Sequence, residues 1–226
     1  MAISVISSAT ANGDSVTIGT HQAGDLIVLV AYRNNNTTAA TVPTGWSANT
    51  SRGGSSSSII LASRIAASSA ETSGTWTNAT QLGCWVLRGS VGLLSLGNVV
   101  NNTAGGIGSG GNINYAALLV ASTTANQWIL AAAGHRSIDT DLETAPSGLT
   151  FRAGVVGASA GELALHDSNG NLDTWASTNY TLTAGTSSAY SSAVCQVCES
   201  NYLPAGGGTG GGSLVNSQAL VRGFVI

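Results

Sequence analysis

Apolar residues in this chain fall in short runs of four to ten, rich in Val, Ile, Leu and Ala and cut apart by clusters of Gly, Asn, Ser and Thr. Runs of that length, composition and spacing read as the strands of an all-β sandwich. The best marked are 26–32 (LIVLVAY), 58–65 (SIILASRI), 84–87, 91–96, 116–121, 128–134, 149–156, 162–166, 180–184, 190–197 and 219–226. No long window keeps a three-to-four apolar period free of Gly and β-branched residues, so long helices are not expected. A short helical turn near Ala67 to Glu71 is the one exception the pattern allows. Residues 105–112 (GGIGSGGN) and 205–213 (AGGGTGGGS) read as flexible or tightly wound loops, the second a linker to a terminal strand over 214–226. The ending ALVRGFVI is expected to return to the sheet or to a neighbour, because a free apolar tail is costly in water.

The two halves resemble each other. GDLIVLVAYRN (24–34) matches NQWILAAAGHRS (126–137) at an offset of 102, TVPTGWSANTSR (41–52) matches TAPSGLTFRAGV (144–155) at 103, and IILASRIA (59–66) matches GELALHDS (161–168) at 102. Pro43 and Gly45 are answered by Pro146 and Gly148, a spacing suited to a turn in which Pro presets φ at the second position and Gly supplies a positive φ. The expectation is a jelly-roll-like β-sandwich over 1–204, built from two similar halves at about 24–100 and 126–199. No Pro-rich or charged linker separates the halves, which favours interleaving into one sandwich over two domains. The stretch at 105–112 is the rival boundary.

Charge narrows the function classes. Only 8% of the 226 residues are charged, the seven basic ones are all Arg, and the net charge is −3. Scattered single arginines form no stripe to release counterions from a phosphate backbone or to hold an anionic membrane, so neither nucleic acid nor membrane is expected as a partner. No apolar run reaches 18 residues and MAISVISSATANGD has no basic start, so neither a span nor a secretory signal is expected.

The motifs that suggest chemistry are each matched by a plainer reading. Cys195 and Cys198 form C-x-x-C, with Cys84 a third thiol, but zinc wants four ligands and a redox centre wants a strand-to-helix turn. Buried or idle thiols are expected, with a bridge from Cys84 to one of the pair left open. Gly157 to Gly161 spells G-x-S-x-G around Ser159, without the helix that a nucleophile elbow needs. Gly106, Gly108 and Gly111, and again Gly206, Gly208 and Gly211, fit G-x-G-x-x-G without its strand and helix. Asp139, Asp141 and Glu143, and likewise Asp167, Asn169, Asn171 and Asp173, alternate so that their oxygens share a face in extended backbone. The second run departs from a calcium loop at its glycine and at Thr178, so a solvated loop is the plainer reading of both. A glycosidase pair drawn from these acids with Glu71 or Glu162 cannot be placed from sequence. His21, His135 and His166 stand alone and read as surface or packing residues. Of Trp46, Trp76, Trp85, Trp128 and Trp175, the first and last sit among Gly, Ser, Thr and Asn and are the candidates for an exposed carbohydrate contact. No cofactor, metal or catalytic residue is expected, and the chain does not read as an enzyme.

A β-protein alone in solution guards its sheet edges with Lys, inward charge or Pro. This chain has no Lys and three Pro, and its strands carry Ser, Thr and Asn. Its edges are therefore expected to be covered, by barrel-like closure or by neighbouring copies and partners. The succession GDLIVLVAYR, TVPTGW, IILASRIA, GTWT and CWVLRG resembles a jelly-roll or β-sandwich module of structural proteins of tailed bacteriophages, among them capsid decoration proteins and tail or receptor-contact proteins. The resemblance covers 24–89 well and 126–199 more loosely, departing where Leu149 answers Trp46 and where Arg88 and Gly89 have no counterpart. It implies a virion component at the capsid surface, made in the host cytoplasm, that binds the major capsid protein or other virion proteins as a homo-oligomer, a trimer among the options. Capsid decoration, or cementing, is the first expected function; a receptor- or carbohydrate-binding module of a tail or head fibre is the alternative.

Overall fold

The computed structural model describes residues 3–90, 92–108, 110–120, 127–137, 141–157, 161–172, 174–183 and 186–199, with Thr50 and Asp141 described by backbone alone. The expected strand 219–226, the linker 205–213, Ser159, Asp139 and Asp173 lie outside the described residues.

Among the described residues, twelve strands form two five-stranded antiparallel sheets and a small third of two strands. The first sheet holds β1 (Ile3–Asn12), β2 (Leu26–Asn34), β3 (Ser47–Gly54), β4 (Ser57–Ile65) and β5 (Gln81–Gly89), in the order β1-β5-β2-β4-β3. The second holds β6 (Leu94–Ile107), β8 (Gln127–His135), β9 (Thr150–Gly157), β10 (Gly161–Asp167) and β12 (Ser188–Glu199), in the order β6-β12-β8-β10-β9. The small sheet pairs β7 (Asn112–Tyr115) with β11 (Thr178–Thr181).

Strand for strand, the two large sheets have the same order. Each half of the chain supplies one whole sheet of a single sandwich, so the halves stack face to face and do not interleave. The register also corrects one repeat offset. Arg33 faces Ser58 in the first sheet, and His135, 102 positions on, faces Glu162 in the second, which sets the β4-to-β10 offset at 104. Both Pro-x-Gly segments are turns closed from the residue after Gly: Trp46 N–H donates to Pro43 O (3.4 Å) and Leu149 N–H to Pro146 O (3.0 Å). Proline thus stands at the first position of each turn, not the second. Gly45 (φ 89°) and Gly148 (φ 82°) hold the third position, where the type II geometry demands positive φ.

The central strands read as unbroken apolar runs because both of their faces are buried. Leu26, Val28, Val30, Ile59, Leu61, Trp85 and Leu87 pack across the sandwich against Trp128, Leu130, Leu163, Leu165, Cys195 and Val197. The opposite face of the first sheet, with Ile27, Leu29, Ala62 and Val86, is covered by Val16, Ile18, Trp46 and Trp76 from its loops. The opposite face of the second, with Ile129, Ala131, Ala164 and Val194, is covered by Ile113, Tyr115, Leu118, Leu142 and Trp175.

Several expected elements shift. No helix forms at 67–71, because Glu71 Oε1 accepts the Ala67 amide and Ser68 Oγ the Ala70 amide, side-chain bonds that compete with a helical turn. Of the expected strand 116–121, the described part, 116–120, forms no strand: β7 ends at Tyr115 and Leu118 makes a lone bridge to Trp175. The 105–112 glycines divide between the end of β6 and a tight turn closed by Gly111 N–H on Gly108 O (2.7 Å). The unexpected strand β1 is an edge strand, half-buried along most of its length, and half of its residues are Ser, Thr or Asn.

Candidate functional site

At one side of the sandwich the two sheets are stitched edge to edge. A bulge at Ile6, between the pairs Val5 with Leu87 and Ser7 with Val86, reverses the alternation of β1. Ser8, Thr10 and Asn12 then face the sandwich interior at its rim, where β9 lies. Ser8 Oγ donates to Arg152 O (3.2 Å), Thr10 Oγ1 to Gly154 O (2.8 Å) and Asn12 Nδ2 to Val156 O (3.2 Å). Three successive outward carbonyls of an edge strand are satisfied by short polar side chains of the other sheet. On the opposite side, where β3 meets β6, one rung is formed: Thr103 Oγ1 donates to Gly54 O (3.1 Å). β3 has a strand neighbour on one side only, and its side chains from Ser47 to Gly53, Thr50 aside, are exposed.

The acids are mostly engaged in structural pairs. Asp25, almost fully buried, takes a two-pronged contact from Arg88 (2.6 and 2.8 Å) and the Gln22 amide (2.8 Å). Burial works to raise its pKa, but these bonds outweigh it and hold the carboxyl below the usual value. Glu71 pairs with Arg64 (2.9 Å), which lies over the Trp46 ring at 5.5 Å, and Glu199 Oε1 accepts the Ser90 amide (2.8 Å). Glu162 lies 3.7 Å from His135 Nδ1, both fully buried, and His135 Nε2–H donates to Ile107 O. In the 167–173 loop, Asp167 is clasped by Arg152 (2.5 and 2.8 Å), whose guanidinium also donates to Asn169 Oδ1 (2.7 Å). Arg152 thus neutralises Asp167 within this loop. Among the described residues no group of three His, Cys, Asp or Glu could hold a metal.

Cys195 points into the core between the sheets, Cys84 packs on the far face of the first sheet, and all three cysteines are free. Burial pushes the thiols of Cys84 and Cys195 up to about 12 and that of Cys198 to about 11, which removes the thiolate at neutral pH. The tryptophans are buried. Trp46 and Trp175, expected as the exposed pair, are each 8% exposed, Trp46 beneath Arg64 and Trp175 with its Nε1–H on Ala116 O (3.0 Å). Both lie in loops rich in small polar residues, but each packs its ring over the outer face of its sheet, Trp46 beside Trp76. His135 and His166 are core residues. Burial drives His166 down to about 4, against the opposing bond from its Nε2–H to Leu142 O (2.9 Å).

A groove of about 460 Å³ lies on the outer side of the first sheet. It is lined by Ala11, by Ser15 to Ile18 and by Glu71 to Thr75. The lining segments run in opposite directions and are pinned at both ends, by Trp76 N–H on Asp14 O (2.7 Å) and by Glu71 N–H on His21 Nε2 (3.0 Å). Its walls bring no nucleophile, base and acid together, and Glu71 is already held by Arg64. Sequence reading missed the groove because its walls are irregular backbone, without a residue pattern of their own. No protein-family model, curated protein or solved structure matches the chain.

Proposed function

We propose that the protein is a structural binding component of a virion, acting as a capsid decoration protein that joins and stabilises neighbouring subunits of a phage head. The observation that carries this reading is β3, an eight-residue edge strand with a neighbour on one side among the described residues and uncharged Ser47, Ala48 and Asn49 side chains facing solvent. Such an edge offers main-chain donors and acceptors to a strand from another molecule, the mode of recognition called β-augmentation. A bulge between Ala48 and Ser51 leaves Ser51 to Gly54 as its most regular part. The rigid double-faced core behind it supports the role, since a cement must transmit load without deforming. The phage resemblance of residues 24–89 supplies the setting, and the major capsid protein and further copies of the chain are the proposed partners.

The test removes the protein from particles that carry it, re-adds it, and follows heat-induced rupture of the heads. Re-addition should restore the rupture temperature, and Ser51→Pro, which removes an edge amide, should weaken rebinding. Identical rupture temperatures with and without the protein would end the proposal. Binding to a glycan array but not to stripped heads would favour the fibre module instead, although burial of Trp46 and Trp175 removes the aromatic platform that reading relied on.

A further inference from the structure

We propose that Asn169 is a site of self-modification: the Gly170 amide attacks its side chain, ammonia leaves, and the loop after β10 acquires aspartate or isoaspartate at this position. The inference is independent of the virion reading.

The chain holds two Asn-Gly pairs, Asn12-Gly13 and Asn169-Gly170. In such a pair the amide of the second residue can close a ring onto the side-chain carbonyl carbon of the first, and glycine leaves that approach open because it has no Cβ. The two pairs meet opposite surroundings. Asn12 lies in the β1–β5 ladder opposite Gln81. Its Oδ1 accepts Gln81 Nε2–H (3.0 Å), its Nδ2–H donates to Val156 O (3.2 Å), and Gly13 N–H donates to Thr80 O (2.8 Å). Electrophile, leaving group and nucleophile are all tied there, and ring closure has to break each of these bonds.

Asn169 is exposed in an irregular loop, at a left-handed φ of 47°. Among the described residues the Gly170 amide and Asn169 Nδ2 have no hydrogen-bond partner, and a Cβ built on Gly170 would meet nothing nearer than Ser168 O at 3.9 Å. Nucleophile and leaving group are therefore free to move and to exchange protons with water. The Asn169 Oδ1, by contrast, is fixed: Arg152 Nη2–H donates to it (2.7 Å) while the same guanidinium clasps Asp167. That donor stands on the oxygen that gains negative charge as the ring closes, the place where a preset donor lowers a barrier. Swinging the Gly170 peptide into line releases one bond, from Ser168 Oγ–H to Gly170 O (2.7 Å).

The step balances with water alone. Hydroxide takes the Gly170 amide proton, the nitrogen bonds to Asn169 Cγ, and the carbonyl electron pair moves onto Oδ1 beside Arg152. The pair returns, the Cγ–Nδ2 bond breaks, and Nδ2 leaves as ammonia with a proton from water. Water then adds to one or the other carbonyl of the succinimide and opens it, to aspartate or to isoaspartate. The aspartate keeps its oxygen at Arg152, so the guanidinium that neutralises Asp167 then serves two carboxylates.

The test is peptide mass mapping of the full-length chain held in mildly alkaline heavy-oxygen water. In the folded wild type Asn169 should convert, with heavy oxygen in the product, at least about tenfold faster than Asn12. In denaturant the two sites should convert alike, both being Asn-Gly in an open chain. Gly170→Ala should slow Asn169 about tenfold, and Arg152→Gln should slow it in the folded chain but not in denaturant. An Asn169 that stays intact, equal conversion of the two sites in the folded chain, a difference between them that persists in denaturant, or conversion as fast in folded Arg152→Gln as in the wild type would each overturn the proposal.

Discussion

His166 carries the chain's clearest pH dependence. Its ring lies edge-on to Tyr115 and Phe151, each 5.9 Å away, and its burial favours the neutral form so that protonation waits until about pH 4. The unfolded chain takes up that proton near the ordinary value of 6.5. Between these values the unfolded state binds more protons, so stability rises with pH across the window and is lost as pH falls from 6.5 toward 4. At about 1.4 kcal/mol per pKa unit the effect is at most about 3 kcal/mol. Urea unfolding at pH 7 and pH 4.5 should show this loss, and His166→Phe should flatten the slope. A second residue-scale constraint is Gly134, where a methyl group would stand 2.3 Å from the Tyr32 ring across the sandwich. Gly134→Ala should cost about 1–3 kcal/mol by overpacking, seen as a lower urea midpoint. Neither effect was legible in sequence. His166 closes the expected strand 162–166 and reads only as a surface or packing residue, and Gly134 closes the expected strand 128–134; what each meets, the Tyr115 and Phe151 rings or the Tyr32 ring, comes from residues far off in the chain.

At the scale of elements, the rim between β1 and β9 is held by Ser8, Thr10 and Asn12. Removing one such side chain leaves a carbonyl without its partner, at about 1 kcal/mol apiece. Ser8→Ala/Thr10→Val should therefore lower stability by about 2 kcal/mol in denaturant titration, and amides of β9 should exchange faster than those of β10. The strands β2, β4, β8, β10 and β12 were readable because burial on both faces demands unbroken apolar runs. β1 was not, because its sequence ISVISSATAN switches face at the Ile6 bulge and spends polar residues on the other sheet's backbone. Of the edges expected to be covered, that of β9 is met by this chain's own β1, while β3 keeps an exposed edge.

For the whole molecule, both sheets contribute to one shared core, and the loops of each half seal only its own outer face. Neither half can bury the face it presents to the other, so the described sandwich should unfold in one transition. Calorimetric and van't Hoff enthalpies should agree, and two resolved transitions would contradict the shared core. The pseudo-repeat of the sequence lies on strands holding equivalent places in the two sheets, with the third match displaced by two residues. All-β character, strand positions in the core and the kinship of the halves follow from local pattern, because a strand's periodicity and its turn residues are properties of a few consecutive positions. Which sheet each half builds, which tryptophans cover it, which arginine neutralises Asp167 and where a groove is left open depend on residues far apart in the chain. Those pairings are set by packing two twisted sheets against each other, and no local pattern records them.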